Sequence, residues 1–201
     1  MPPEKLHLIL TTWPFMKWGV NIIGMMPIAQ GQRVFMLAAT DYFTKWVKVE
    51  AYAQVRDREV KSFIWKNVIC RFGVPKEIVT DNDSQFISLE FQNFCNKWGI
   101  LLSFSTPRYP QSNGKVESTN KTVVASLKKR LDKAKRRWED ELPGMLWAHR
   151  TTIKTSIRET PFSLTYRTEE VIPVEARLQP QDFNTQWMLK TRKIWLTRLI
   201  Y

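Results

Sequence analysis

Two carboxylates in this 201-residue chain sit where chemistry is commonly done. Asp81 follows the short apolar run EIVT (77–80), in VTDNDSQF. Ligands of open α/β sheets bind outside the carboxyl ends of strands. Glu117 falls in the first turn of a basic segment that reads as a helix over residues 115–137, where the macrodipole favours a negative charge. Thirty-five residues separate the two acids. Taken singly, either is most often a cap or a solvated charge. Other chemistries are poorly supplied. His7 and His149 are the two histidines, and neither has cysteine partners at zinc spacing. No Ser, Cys or His is arranged as a nucleophile beside a base. Cys70 and Cys95 lie in apolar helical patterns and read as buried free thiols rather than a disulfide framework.

The elements that must position these acids are legible as changes of period. Residues 17–28 (KWGVNIIGMMPI) and 33–40 (RVFMLAAT) are largely apolar and β-branched, which predicts buried strands. Residues 45–52 (KWVKVEAY) alternate as a half-exposed strand, and the three together predict an antiparallel meander. Val60, Phe63, Ile64 and Val68 then fall at helical spacing, with Asp57 as cap and Gly73 and Pro75 as the stop. EIVT is a strand. Ser88 caps a helix with Phe91, Phe94, Cys95 and Trp98 on its apolar face, closed by Gly99. ILLSFS (100–105) is the last strand, followed by the turn-rich TPRYPQSNG (106–114). The helix over 115–137 buries a stripe of Val116, Val123, Val124, Leu127, Leu131 and Ala134. Residues 138–150 hold a further helix, interrupted near Pro143-Gly144, and Trp138 closes the long helix before it. Trp13 and Trp18 are expected in the core. The order predicts an α/β fold. Its five-stranded mixed sheet, three antiparallel strands and then two strand–helix units, is flanked by helices.

Charge points to the partner. The net charge is +12, with +3 in residues 1–100 and +9 in 101–201. Lys128, Lys129, Arg130, Lys133, Lys135, Arg136 and Arg137 form a dense run on the predicted helix. Such runs are usually solvated faces, but lysine and arginine also release counterions from a polyanion. No apolar run is long enough to span a membrane, and MPPEKLHLIL lacks the basic start and cleavage site of a secretory signal.

Several segments together are more specific than either acid. WGVNIIG, DYFTKW, GVPKEIVTDND, SFSTPRYPQSNGKVESTNK, ELPGMLWAHRTT and TPFSLTYRTEEVIPVE resemble the integrase core of long-terminal-repeat retrotransposons, especially the plant gypsy-like group. The resemblance covers residues 11–175, and the interval from Asp81 to Glu117 is that family's. It implies a ribonuclease H-like fold, nuclear DNA integration by cutting and strand transfer, DNA ends and target as partners, and action as a homo-oligomer. It also implies two Mg²⁺ or Mn²⁺ ions held by three carboxylates, since divalent ions stabilise the attacking and leaving oxygens of an in-line displacement and Mg²⁺ wants hard anionic oxygens. It places Gln111, Asn113, Gly114 and Lys115 in a DNA-engaging loop. Lys121 then lies one turn after Glu117, with Lys128 and Lys129 further along as phosphate contacts.

The chain departs from this family at the first metal-binding carboxylate. Where the family has Asp in W-G-x-D-I-x-G, this chain has Asn21. Asn21, Asp81 and Glu117 thus make a degenerate triad in which only the last two carry charge. The expected consequence is crippled catalysis; the alternative is a catalytically dead nucleic-acid-binding remnant or interaction module of the same fold. A ribonuclease acting on RNA hybrids shares the fold, but the third acid follows P-Q-x-N-G at integrase spacing. Asp83 stands where the family has Gly, and Asn82-Asp83 is expected to turn through left-handed backbone angles that both residue types tolerate. Residues 1–12 read as an N-terminal extension, 13–175 as the core and 176–201 as a divergent basic tail. The family's zinc domain and C-terminal module are not recognisable.

Overall fold

The computed structural model describes residues 13–105, 137–155 and 157–169. The predicted turn at 106–114, nearly all of the predicted helix over 115–137 and the tail 176–201 lie outside these residues.

Three antiparallel strands come first: β1 (Lys17–Ile23), β2 (Phe35–Asp41) and β3 (Val47–Tyr52). The helical segment that follows is α1 (Asp57–Ile64), a π-helical turn (Trp65–Ile69) and α2 (Cys70–Phe72). Next come β4 (Glu77–Thr80), the short α3 (Ser84–Ile87), α4 (Leu89–Lys97) and β5 (Leu101–Phe104). β1 pairs parallel to β4, and β4 parallel to β5, so the sheet order is β3-β2-β1-β4-β5. The mixed five-stranded sheet is the one expected. The chain divides into two compact units, Met1–Glu141 and Leu142–Tyr201.

β1 is shorter than the apolar run that predicted it. It ends at Ile23, and Gly24 is packed so closely that a Cβ there would lie 2.6 Å from the Phe35 ring. The next residues leave the ladder, with Met26 and Ala29 donating back to Val34 and Arg33. One sheet face carries Trp18 and Val20 of β1, Leu37 and Ala39 of β2 and Ile78 of β4, all buried. The helical segment covers it: Phe72 stacks on Phe15 at 4.4 Å and meets Trp18 at 5.3 Å, and Lys66 pairs with Glu50 of β3. α1 packs against β2 and α4, with Val60, Phe63 and Ile64 wholly buried.

Most helix limits follow their chemistry. Ser88 accepts from the Phe91 amide, Gly73 stops the first helical segment at φ 91°, and Gly99 turns the chain into β5 at φ 65°. Asp57 is not the cap. The cap position is Arg56, whose amide donates to Glu59, and Asp57 is the first helical residue. Neither Asn82 nor Asp83 takes a positive φ; Asp83 is extended (φ −62°, ψ 144°) and serves as the N-cap position of α3. Trp13 is 68% exposed, because it precedes β1 and has no sheet face to join, whereas Trp18 is fully buried within the strand. Cys95 is a buried free thiol, but Cys70 is exposed, since it falls on the outer side of its helical turn.

Trp138 begins a helix rather than ending one. α5 (Trp138–Arg150) runs unbroken through Pro143-Gly144, with Trp138, Leu142, Met145 and Leu146 buried at helical spacing on both sides of the proline. A proline removes one intrahelical bond; the apolar stripe that continues past it outweighs that loss. The Trp138 indole donates to the Pro27 carbonyl at 2.7 Å, and Glu139 pairs with Arg33. α6 (Pro161–Tyr166) is capped by Thr160, which accepts from the Ser163 amide, and Phe162 contacts Trp147 and Tyr166.

The DYFTKW segment is the turn between β2 and β3, tied by one buried carboxylate. Asp41 accepts from the Thr44 amide and hydroxyl at 2.7 Å each, and from the Phe15 amide at 3.0 Å. It thereby fixes both the hairpin and the approach to β1. Burial raises its pKa above the ordinary range, although the three donors and Lys45 oppose the shift. A raised folded pKa means that the native state binds more protons than the unfolded chain, so this contribution is lost as pH rises through the folded value. Chemical denaturation of the native chain and Asp41→Asn from pH 4 upward should show the native chain's advantage shrinking as pH rises. An advantage that grows would contradict it.

Candidate functional site

The site is built from the parallel pairing of β1 with β4. Lys17 lies opposite Glu77, Trp18 opposite Ile78, Gly19 opposite Val79 and Val20 opposite Thr80. The next residue on each strand is Asn21 and Asp81, which therefore stand level. Side chains alternate across a strand, so Lys17, Gly19 and Asn21 share one face with Glu77, Val79 and Asp81. An observed contact confirms this face: the Lys17 ammonium reaches the Glu77 carboxylate at 3.1 Å, four residues before Asn21 and Asp81. It is the face opposite the helical segment 57–72.

Around the two residues the sheet is tight and apolar. Asn21 sits opposite Ala38 of β2, and Gly19 opposite the fully buried Thr40. Asn21 and Asp81 are themselves half-buried. Asp81 is where β4 stops, and the Ser105 amide closes the ladder on the Thr80 carbonyl beside it. Burial pushes the Asp81 carboxyl above the usual range, and the Asp83 carboxylate two residues on pushes it further; the Asp83 amide, 3.4 Å from Oδ1, works against both. Asn21 offers only an amide oxygen.

Glu117, the third expected acid, and Gln111, Asn113, Gly114, Lys115, Lys121, Lys128 and Lys129 lie outside the described residues. Of the predicted site residues, the structure thus brings together Asn21 and Asp81. Among the described residues no three His, Cys, Asp or Glu side chains gather as a metal group. One carboxylate and one amide from the strands do not fit a pair of divalent ions, which need several anionic oxygens. Sequence reading missed the Lys17–Glu77 pair; opposite charges four residues before each site position were visible, but only the parallel register makes them partners.

The mixed sheet in order β3-β2-β1-β4-β5 sets two polar residues level, one on β1 and one just after β4. Residues 12–110 match the integrase core domain family. The chain is similar to retrotransposon polyproteins and to retroviral integrase cores. The Transposon Tf2-3 and Tf2-4 polyproteins of Schizosaccharomyces pombe are each 25% identical over 154 residues, or 77% of this chain. The chain spans 12% of the length of these curated relatives. Among solved structures, the simian T-cell lymphotropic virus intasome has a chain 24% identical with a TM-score of 0.60, covering 80% of this chain and 59% of that one. The HTLV-2 integrase catalytic core domain, solved with magnesium in a dimeric form, is 22% identical with a TM-score of 0.55, covering 77% and 99%. The BIV integrase core is 20% identical with a TM-score of 0.55, covering 74% and 92%. These likenesses establish the fold.

The Lys17–Glu77 pair is nearly buried, with side-chain exposures of 9% and 13%. Removing one partner strands the other charge, whereas replacing both can be neutral. Lys17→Met and Glu77→Gln should each lower stability by about 2 kcal/mol or more, and Lys17→Met/Glu77→Leu should recover most of the loss. Denaturant melts check this; additive losses in the double variant would contradict it.

Proposed function

We propose that this chain is the core of a retrotransposon integrase that binds DNA, and that its metal-dependent cutting and strand transfer are crippled by Asn21. The observation that carries this reading is the level placement of Asn21 and Asp81 on adjacent parallel strands, one neutral and one acidic. Asp81, Glu117 and the degenerate Asn21 are the assigned catalytic and metal positions, with Mg²⁺ or Mn²⁺ as the ion. Gln111, Asn113, Gly114, Lys115, Lys121, Lys128 and Lys129 are the assigned DNA contacts, supported by the basic segment that carries them. The element is assigned to the plant gypsy-like group on its PQSNGKVE and TDND segments. The core is assigned residues 13–175, its place of action is the nucleus, its partners are retroelement ends and target DNA, and it works as a homo-oligomer. No helix among the described residues is long and apolar enough to cross a membrane.

A second reading, a catalytically dead DNA-binding remnant, is favoured by the same neutral Asn21 beside Asp81. Disintegration and strand-transfer assays with Mn²⁺ separate the two. The native chain should be at least about a hundredfold slower than Asn21→Asp, as expected for loss of a group that stabilises developing charge, and Glu117→Gln should abolish what activity Asn21→Asp gains. Equal rates for native chain and Asn21→Asp would sink the crippled reading; silence in both would support the remnant. DNA affinity should fall steeply with salt, with the Lys128→Ala/Lys129→Ala variant showing a shallower slope by about 2. A salt-independent interaction would count against the basic-segment contacts.

A further inference from the structure

We propose that the neutral side chain at position 21 makes the sheet independent of a bound cation, so that the fold is stable with β1 and β4 together and no metal between them. This rests on the assignment of Asn21 and Asp81 as the strand half of the site, but not on any catalysis.

Three polar positions crowd one corner of the sheet. Asp81 directly follows β4 and is half-buried, with Asp83 two residues on. Asn21 is the next rung of β1, on the same face and also half-buried. Strands lie about 4.8 Å apart, so an acid at 21 would face Asp81 across one strand spacing. Repulsion between charges at that spacing is far stronger in a half-buried site than in water. Among the described residues of these two strands, nothing cationic is placed to relieve it: the Lys17 ammonium, the charge on β1, is held by Glu77 at the other end of the shared face and sits over the Tyr42 ring at 5.3 Å. A carboxylate at 21 would therefore need a bound cation to be tolerated, and Asn21 removes the need. Asp83 lies in the exposed turn, so its charge bears on the corner more weakly than an acid at 21 would.

Thermal melting in EDTA and in millimolar Mn²⁺ tests this, because it reads the fold and not the reaction. The native chain should melt at the same temperature in both. Asn21→Asp should melt about 3 °C or more lower in EDTA, with Mn²⁺ restoring much of the loss. The neutral isostere Asn21→Leu should show no Mn²⁺-dependent change, and the loss from Asn21→Asp should be smaller in the Asp83→Asn background. If Asn21→Asp does not fold, Asp81→Asn in the native chain serves: it should hold or raise the melting temperature in EDTA. A native chain that Mn²⁺ stabilises as much as it does Asn21→Asp, or an Asp81→Asn variant that melts well below the native chain, would overturn the proposal. An inactive Asn21→Asp that still shows the metal-dependent melt would leave it standing while removing the catalytic reading.

Discussion

Everything at the site depends on one backbone constraint, the parallel pairing of β1 with β4. Register in a sheet has no intermediate settings: a shift of one residue turns each side chain to the other face. Here the register is fixed twice. Trp18, Val20 and Ile78 must face the helical segment that buries them, and Lys17 must meet Glu77 on the opposite face. With those choices made, the level placement of position 21 with Asp81 is not separately adjustable.

The same constraint makes position 21 sensitive to the charge it carries. Position 21 lies within a seven-residue strand that is buried for most of its length. Whatever it carries is held against Asp81 in a partly dry environment, where charge acts strongly. On the proposed reading, an acid there is strained in the free sheet and needs a cation, whereas an amide is at ease. Stability and metal binding would then pull in opposite directions at this residue, with Asn21 on the side of stability. Asp83 differs, because an exposed turn makes little demand on what it carries.

How much of this was legible in the sequence varied with the kind of signal. The sheet was legible because β-branched runs, an alternating strand and the capping pair Ser88 and Gly99 all agreed. Asn21 and Asp81 were singled out through motifs, and the fold sets them level on neighbouring strands. Failures came where local signals were overruled or outrun. Pro143-Gly144 reads as a break, yet the apolar stripe on both sides carries α5 through it. Trp13 reads as core because of its type, but it stands ahead of the strand that would have buried it. The apolar run to Ile28 reads as strand, but the fold of Gly24 against Phe35 ends pairing at Ile23. The Lys17–Glu77 pair could not be seen at all, since it joins residues sixty apart through a register that only the folded sheet defines.

The proposed effect of a neutral side chain at position 21 is tested most directly by calorimetric titration of Mn²⁺ into the native chain and into Asn21→Asp. If that charge is what disables the site, Mn²⁺ should bind the native chain at least about tenfold more weakly, a difference of about 1.4 kcal/mol. Equal affinity in the two proteins would contradict it.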